Sequence, residues 1–247
     1  MASATHKAAL LRSALCVTTA KPRPTPTLFF FPGLESKPWH DASKFPALHQ
    51  LEVNRDTIQR EYLTLRDIRK AITATNTAQN ATSDYNVNDK EHQLHQGEWD
   101  WLSYVTQGRR QAEFAAYCPK TVEVLESIPG FMTGLPFAYS FFSVLKPQSS
   151  IKAHSAPCNI RLRCHFPLFT PPGCGIRVGD ETRQWETGKP MVFDDSYDHE
   201  VWHDGEKGDR VLLLFDFWHP DLVPEERESI TQMFQEAKDK GWLKDSL

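Results

Sequence analysis

The sequence of 247 residues predicts a mainly β fold with flanking helices, built as a sandwich or barrel. In its second half, several short apolar runs are separated by turns rich in Gly and Asp. Many short strands joined by such turns are typical of sandwiches and barrels. Hydrophobic residues make up 40% of the chain and charged residues 24%, a globular composition that excludes wholesale disorder.

Charge and cysteine usage exclude several classes of function. The formal net charge of -4 argues against general nucleic-acid binding, which needs a basic surface. No apolar run approaches the roughly 18 residues of a membrane span, so no membrane partner is expected. The 5 cysteines form no C-x-x-C pair, which argues against a zinc ribbon or a thioredoxin-like motif. We expect free thiols in a reducing compartment.

The N-terminal segment has a distinct composition. Residues 1–34 contain basic side chains but no acidic one, and they are rich in Ala, Ser and Thr. This composition suits either a mobile tail of a cytoplasmic protein or a mitochondrial transit peptide. We therefore divide the chain into a flexible or targeting segment, 1–26, and a single domain, 27–247. The expected location is cytoplasmic, with the mitochondrion as the alternative.

Three helices and one long loop are predicted. Apolar residues at helical spacing predict an amphipathic helix over 56–73, opened by a capping-box sequence. The polar stretch 73–98 follows and predicts a surface loop long enough to act as a lid. A short helix is predicted over 119–127. The last helix is predicted over 224–240, where Pro224 suits the first turn.

The strands are predicted after Pro129, at 139–145, 160–168, 175–178, 190–193, 198–202 and 210–217. In the second of them, apolar residues alternate with Arg161, Arg163 and His165. On a solvent face, three basic groups would be ordinary. If this face instead lines a cavity, it forms an anion site, because arginine is suited to bidentate capture of a carboxylate.

Two histidines suggest a metal site. His154 directly precedes the strand with the basic face, and His199 is placed on a facing strand. Two strand-borne imidazoles aimed into one cavity can hold a divalent metal and leave several coordination positions open, which suits non-haem iron. A single histidine is more often an ordinary core or surface residue, so spacing alone leaves both interpretations open. Val201 and Trp202 indicate a strand between His199 and His203, which argues against a helical zinc site.

Short motifs that are specific only as a set lie along residues 29–72 and 97–229. They are Phe31–Leu34, Pro38–Trp39, Gly97–Trp99, Gln107–Arg110, Cys118–Thr121, His154–His165, Gly179–Arg183, Gly188–Trp202 and Arg210–Pro220. Each motif is weak alone. Together and in this order, they resemble the catalytic domain of the aspartyl/asparaginyl β-hydroxylase family.

The resemblance implies a double-stranded β-helix, that is, a cupin-like jelly roll, which uses Fe(II), 2-oxoglutarate and O₂. It makes His154 and His199 the iron ligands. Many related oxygenases add a carboxylate as a third ligand, but Ala156 stands at that position here and cannot bind metal. The family likewise places a small residue there, so two histidines would hold the iron.

The resemblance also implies where the other reactants bind. The residues implied to bind 2-oxoglutarate are Ser143, Arg163, His165 and Arg210. Of these, Arg210 and Ser143 would take the distal carboxylate, and the other two would face the metal-bound end. Trp99 and Arg161 are the expected substrate contacts.

The implied function is hydroxylation of an unactivated C–H bond, with succinate and CO₂ as co-products. The substrate would be a small carboxylate- or amide-bearing molecule or the Asp/Asn side chain of a peptide. The sequence shows neither a membrane anchor nor a helical-repeat docking arm, which favours the small molecule. The alternatives are a halogenase or other oxidative tailoring enzyme, since Ala156 leaves a coordination position vacant, and a non-catalytic jelly-roll binding protein.

Overall fold

The computed structural model describes residues 22–75, 83–85 and 94–243. Most of the segment 1–26 and most of the predicted loop 73–98 lie outside these residues. The predicted division into a terminal segment and one domain is therefore not tested as a whole. None of the helices in the described ranges is both long enough and apolar enough to cross a membrane.

Two antiparallel sheets form the body of the molecule. Their strands are β1 (Trp39–His40), β2 (His95–Gln96), β3 (Trp99–Thr106), β4 (Arg109–Arg110), β5 (Ser140–Leu145), β6 (Ser149–His154), β7 (Arg161–Phe169), β8 (Cys174–Val178), β9 (Glu181–Arg183), β10 (Met191–Phe193), β11 (His199–His203) and β12 (Arg210–Trp218). The larger sheet has the order β1-β10-β7-β12-β5-β3-β4, and the smaller has the order β2-β6-β11-β8-β9.

The strand order identifies the fold. Strands β10-β7-β12-β5 lie side by side in the larger sheet, and β6-β11-β8-β9 lie side by side in the smaller one. The chain thus passes repeatedly from one sheet to the other, which is the winding of a double-stranded β-helix or jelly roll. The predicted fold class is confirmed. Each of the six predicted strands is present, whereas β1, β2, β3, β4, β6 and β9 were not predicted.

Four α-helices accompany the sheets in the described part of the chain: α1 (His49–Thr75), α2 (Ala112–Tyr117), α3 (Pro119–Glu126) and α4 (Pro224–Asp239). Helix α1 begins at His49 rather than at Asp56, because Leu51 extends the buried stripe toward the N-terminus. The predicted capping box at Asp56 is therefore wrong. Helices α3 and α4 match their predictions, and α2 was not predicted.

The core has two layers, one on each face of the larger sheet. Between this sheet and the helices, Leu162, Cys164 and Phe166 of β7 pack with side chains of α1, α3 and α4. The second layer lies between the two sheets and includes Leu212 and Leu214 of β12. The basic face of β7 points into this inter-sheet space, so the alternation places charged side chains inside the barrel.

Candidate active site

Sheet register brings the two predicted iron ligands together. Strands β6 and β11 pair antiparallel, with His154 opposite His199. Their ring centroids lie 4.2 Å apart with an angle of 50° between the planes. His199 is buried, whereas His154 is only half buried. The pair therefore lies at the edge of the barrel interior, and His154 is the member on the solvent side.

Backbone carbonyls fix the protonation of both rings. His154 Nδ1 lies 2.7 Å from the carbonyl oxygen of Lys152, and His199 Nδ1 lies 2.9 Å from that of Tyr197. A carbonyl oxygen can only accept a hydrogen bond, so each Nδ1 carries the proton and each Nε2 keeps its lone pair. Burial lowers the pKa of His199 to about 3, assisted by the nearby charge of His154. Burial also lowers the pKa of His154, so both rings are neutral at pH 7 and able to bind metal.

No third protein ligand accompanies the pair among the described residues, where no group of three or more His, Cys, Asp or Glu side chains converges. Ala156 instead uses its backbone. Its N–H donates to the carbonyl oxygen of Asp195 at 2.8 Å, which links the segment after His154 to the segment before His199. Two histidines with open positions suit an iron that must also bind a co-substrate and oxygen.

The guanidinium of Arg210 is a buried cation with unused hydrogen-bonding capacity. Its Nη2 donates to Ser143 Oγ at 3.2 Å, while its Nε has no hydrogen-bond partner in the described part of the chain. Among the described residues no acidic side chain forms an ion pair with it, and Trp185 lies 5.2 Å from the guanidinium carbon. Burial lowers the pKa of Arg210 to about 9, so it remains charged at pH 7. A buried arginine in this state is complementary to a carboxylate ligand.

Trp99 contacts the same serine as Arg210 does. Its indole N–H donates to Ser143 Oγ at 2.9 Å. The Ser143 hydroxyl thus accepts from both Trp99 and Arg210 and can donate its own proton to an anion. The role of Trp99 as a substrate contact stays a prediction. In the structure, Trp99 is hydrogen-bonded to Ser143, a residue predicted to bind the co-substrate.

His165 lies between the histidine pair and the buried Arg210. The Phe193 ring lies 4.8 Å from the His165 ring and 5.8 Å from the His199 ring. Trp185 donates its indole N–H to His165 Nδ1 at 3.3 Å. Burial, followed by the positive charge of Arg210, holds the pKa of His165 well below its usual range. A neutral imidazole therefore lies between the histidine pair and the buried arginine.

Arg161 and Arg163 belong to a charge cluster that the sequence did not predict. Arg161 Nη2 lies 2.6 Å from Asp195, and Arg163 Nε lies 2.8 Å from Asp216. The two pairs are also joined to each other: Arg161 lies 3.1 Å from Asp216, and Arg163 lies 3.2 Å from Asp195. Arg161 in addition donates to the carbonyl of Phe137. Although burial opposes it, the charges of Arg161 and Arg163 hold the pKa of Asp195 below its usual range.

The roles predicted for these arginines stay predictions. The guanidinium of Arg161 is buried and engaged within the cluster, whereas Arg163 retains 14% of its side-chain exposure. One local signal could have revealed the cluster. Asp216 is the lone acid in the otherwise apolar stretch Val211–Trp218, and a buried carboxylate requires a cationic partner.

Asp194 and Asp198, the other two aspartates shortly before His199, lie outside this charge cluster. Asp194 accepts a hydrogen bond from the backbone N–H of Ser196 at 2.9 Å, and burial raises its pKa to about 7. Asp198 pairs with Arg177 at 2.8 Å on the surface. Of the three aspartates before His199, Asp195 alone belongs to the buried cluster in the described structure.

The chain matches the family model described as Aspartyl/Asparaginyl beta-hydroxylase over residues 52–220. It is 33% identical over 208 residues to the "Aspartyl/asparaginyl beta-hydroxylase" of Homo sapiens, a match that covers 83% of this chain and 26% of the relative. It is also 33% identical over 213 residues to "Aspartate beta-hydroxylase domain-containing protein 2" of Mus musculus, covering 85% of this chain and 59% of the relative.

A solved prolyl-4-hydroxylase from Pseudomonas putida aligns with 67% of this chain and 87% of its own, at 15% identity and a TM-score of 0.38, too weakly to add to the sequence matches. The chain spans 26% and 59% of the two relatives' lengths. The family model nevertheless covers both histidines, Arg210 and every strand from β2 to β12. The chain therefore belongs to the aspartyl/asparaginyl β-hydroxylase family.

Proposed function

We propose that this chain is an Fe(II)- and 2-oxoglutarate-dependent dioxygenase of the hydroxylase type. Its substrate would be a small carboxylate- or amide-bearing molecule or the Asp/Asn side chain of a peptide, oxidised at an unactivated C–H bond. Succinate and CO₂ would be the co-products. The observation that carries the proposal is the buried Arg210, which has no acidic partner among the described residues and shares the barrel interior with two imidazoles whose Nε2 atoms are free.

His154 and His199 would hold the iron through Nε2. When bound, the iron supplies the activation of O₂ and 2-oxoglutarate that oxidation of a C–H bond requires. The protein's part is to keep both rings neutral and fixed, which the Lys152 and Tyr197 carbonyls do by accepting from Nδ1. Ala156 leaves space at the metal for the other reactants.

Arg210 and Ser143 would bind the distal carboxylate of 2-oxoglutarate. Arg210 offers two donors in a plane, and Ser143 offers its hydroxyl proton. Trp99 and Trp185 contact these two groups and exclude water from them, which strengthens a charge-assisted hydrogen bond. The neutral His165 and the partly exposed Arg163 would face the other end of the co-substrate.

The test is anaerobic reconstitution with Fe(II) and 2-oxoglutarate, followed by exposure to O₂ in the presence of candidate substrates. The panel contains small carboxylates, small amides and peptides with Asp or Asn, in chloride buffer. We expect succinate and a product heavier by one oxygen atom. At a 2-oxoglutarate concentration near the parental KM, an Arg210→Ala variant should form much less of both, whereas exposed Arg109→Ala, as the matched control, should form them at the parental rate.

Other outcomes distinguish the alternatives. A chlorinated product would identify a halogenase, and it would contradict the proposed hydroxylation. Iron and 2-oxoglutarate binding without succinate from any member of the panel would favour a non-catalytic binding protein. A protein that binds no iron at all would overturn the proposal at its base.

A further inference from the structure

An N-terminal strap, residues 22–31, crosses the outside of the candidate metal site. The backbone N–H of Thr25 donates to the carbonyl of Ser196 at 2.7 Å, and that of Thr27 donates to the carbonyl of Ala156 at 3.1 Å. These acceptors lie on different segments, one leading into β11 and the other following β6. The strap therefore joins two parts of the chain that are distant in sequence.

The C-terminal half of the strap is firmly anchored. Leu28 and Phe29 both donate their N–H groups to the carbonyl of Pro157, at 3.0 and 2.9 Å. The side chain of Asn159 accepts from the N–H of Phe31 at 2.7 Å and donates to its carbonyl at 2.9 Å. These hydrogen bonds hold the strap parallel to the segment that follows His154. They therefore fix the position from which the N-terminal half of the strap, residues 22–26, extends.

The N-terminal half is stiff because prolines alternate along it. Pro22, Pro24 and Pro26 restrict the backbone to an extended conformation that needs no internal hydrogen bonds. Pro22 packs against Gly179, where a Cβ would come within 3.0 Å of the proline ring. The N–H of Gly179 in turn donates to the carbonyl of Asp198, directly before His199.

Thr25 contacts both of the segments that carry the two histidines. Its Oγ1 lies 2.8 Å from the Oγ of Ser155, which directly follows His154. Its N–H binds Ser196, which lies on the turn leading to His199. One exposed residue thus touches both ligand-bearing segments from outside.

We infer that the strap positions the two metal ligands, with Thr25 as the positioning residue that couples their segments. The inference rests on the proposed function, because it concerns the use of His154 and His199 as ligands. The Ala156–Asp195 hydrogen bond links the segments on the inside, and the strap links them on the outside. Holding both rings in place before metal binds reduces the ordering cost of binding.

Two substitutions of Thr25 distinguish the contribution of its backbone N–H from that of its hydroxyl. Thr25→Pro removes both the N–H and the hydroxyl, and it suits the extended backbone between Pro24 and Pro26. Thr25→Val keeps the N–H and the shape but loses the hydroxyl. Thr170→Val is the matched control, because Thr170 Oγ1 makes an exposed hydroxyl–hydroxyl contact of the same 2.8 Å with Thr187, at the far end of β7.

The full-length protein is titrated with Mn(II) by electron paramagnetic resonance, and the visible spectrum of its Co(II) form is recorded. We expect Thr25→Pro to weaken Mn(II) binding roughly tenfold, as loss of a supporting contact around a metal ligand typically does. Thr25→Val should weaken it less, and both should alter the Co(II) spectrum. Thr170→Val should change neither, while the thermal midpoints of all three variants stay together.

Hydrogen exchange of the metal-free protein tests the strap independently of metal. Thr25→Pro should accelerate exchange of the Ala156 amide relative to Thr170→Val. Parental Mn(II) affinity and spectrum in Thr25→Pro, or equal losses in Thr170→Val, would overturn the inference. A parent that binds no Mn(II) would instead defeat the proposed function, and unchanged exchange at Ala156 would then defeat the strap as well.

Discussion

The backbone N–H of Ala156 donates to the carbonyl oxygen of Asp195 across a distance of 2.8 Å. This hydrogen bond joins the two segments that carry His154 and His199, at a position where related oxygenases use a carboxylate ligand. Asp195 is also ion-paired with Arg161 in the barrel interior. Ala156, whose side chain cannot bind metal, therefore supplies a structural link between the segments that carry the two predicted metal ligands.

Replacement of Arg210 should act on the co-substrate. Arg210→Ala removes the buried cation, so we expect the KM for 2-oxoglutarate to rise at least tenfold, as expected when a charge-assisted pair worth about 1.5–3 kcal/mol is lost. Arg210→Lys should recover only part of the loss, because it lacks the planar pair of donors. Initial-rate kinetics at varied 2-oxoglutarate checks this, and an unchanged KM in the Ala variant would place the co-substrate elsewhere.

Trp99 should also affect the co-substrate, through Ser143. Trp99→Phe keeps an aromatic ring but removes the N–H that binds Ser143 Oγ. We expect a rise of a few-fold in the KM for 2-oxoglutarate, since a neutral hydrogen bond contributes about 0.5–1.5 kcal/mol. Trp99→Ala should in addition lower hydroxylated product relative to succinate if the predicted substrate contact is correct. Equal KM values for Trp99→Phe and the parent would show that the indole N–H does not support Ser143.

His203 should contribute to stability and not to metal binding. It is fully buried, with Nε2 2.7 Å from the carbonyl of Gly208 and Nδ1 3.3 Å from the N–H of Gly205. We expect His203→Ala to lower the free energy of unfolding by about 1–3 kcal/mol, because buried partners lose their hydrogen bonds. Denaturant unfolding and metal titration measure the two effects separately. Loss of metal as severe as in His199→Ala would contradict the assignment.

His40 should make the protein sensitive to acid. Burial, followed by the charge of Lys37, lowers the pKa of His40 to about 4, and its Nε2 finds no hydrogen-bond partner within residues 22–75, 83–85 and 94–243. Between pH 6.5 and about 4, the unfolded chain binds a proton that the folded chain does not. Stability should therefore fall as pH falls through this window, by up to about 1.4 kcal/mol per pH unit from this group.

The check is urea unfolding of the parent, His40→Gln and the exposed His49→Gln at several pH values from 7 to 4.5. His40→Gln should show a smaller loss of stability in acid, whereas His49→Gln should follow the parent. The raised pKa of Asp194 contributes the opposite slope, but every protein in the comparison retains Asp194. A parental slope in His40→Gln would rule out this origin of the acid sensitivity.

Some elements of the fold were predictable because their pattern is local. Strand β7 alternates Leu162 and Cys164 with Arg161 and Arg163, and this alternation predicted the strand and its apolar face. It left open whether the basic face meets solvent or a cavity, and the structure buries most of that face as well. Strand β6 was not predictable, because its sequence Ser149–His154 has little apolar alternation. It is stabilised by hydrogen bonds to β11 on one side and β2 on the other, which local sequence does not reveal.

The same distinction applies to the candidate site. The histidine pair and Arg210 were identified through the family motifs rather than through spacing. The charge cluster was missed because its partners are far apart in sequence: Arg161 and Asp195 are separated by 34 positions, and Arg163 and Asp216 by 53. Only the folded sheets bring these side chains together. The lone acid Asp216 in an apolar strand indicates that a cationic partner is needed, but the local sequence does not identify that partner.

Metal binding by His154 and His199 is tested most directly by anaerobic Fe(II) titration of the parent, His154→Ala and His199→Ala. The parent should bind one Fe(II) per chain, and each variant should lose this site. His154 is half buried, so His154→Ala should keep a thermal midpoint close to that of the parent. Equal Fe(II) occupancy in His154→Ala and the parent would contradict the assignment of the two histidines.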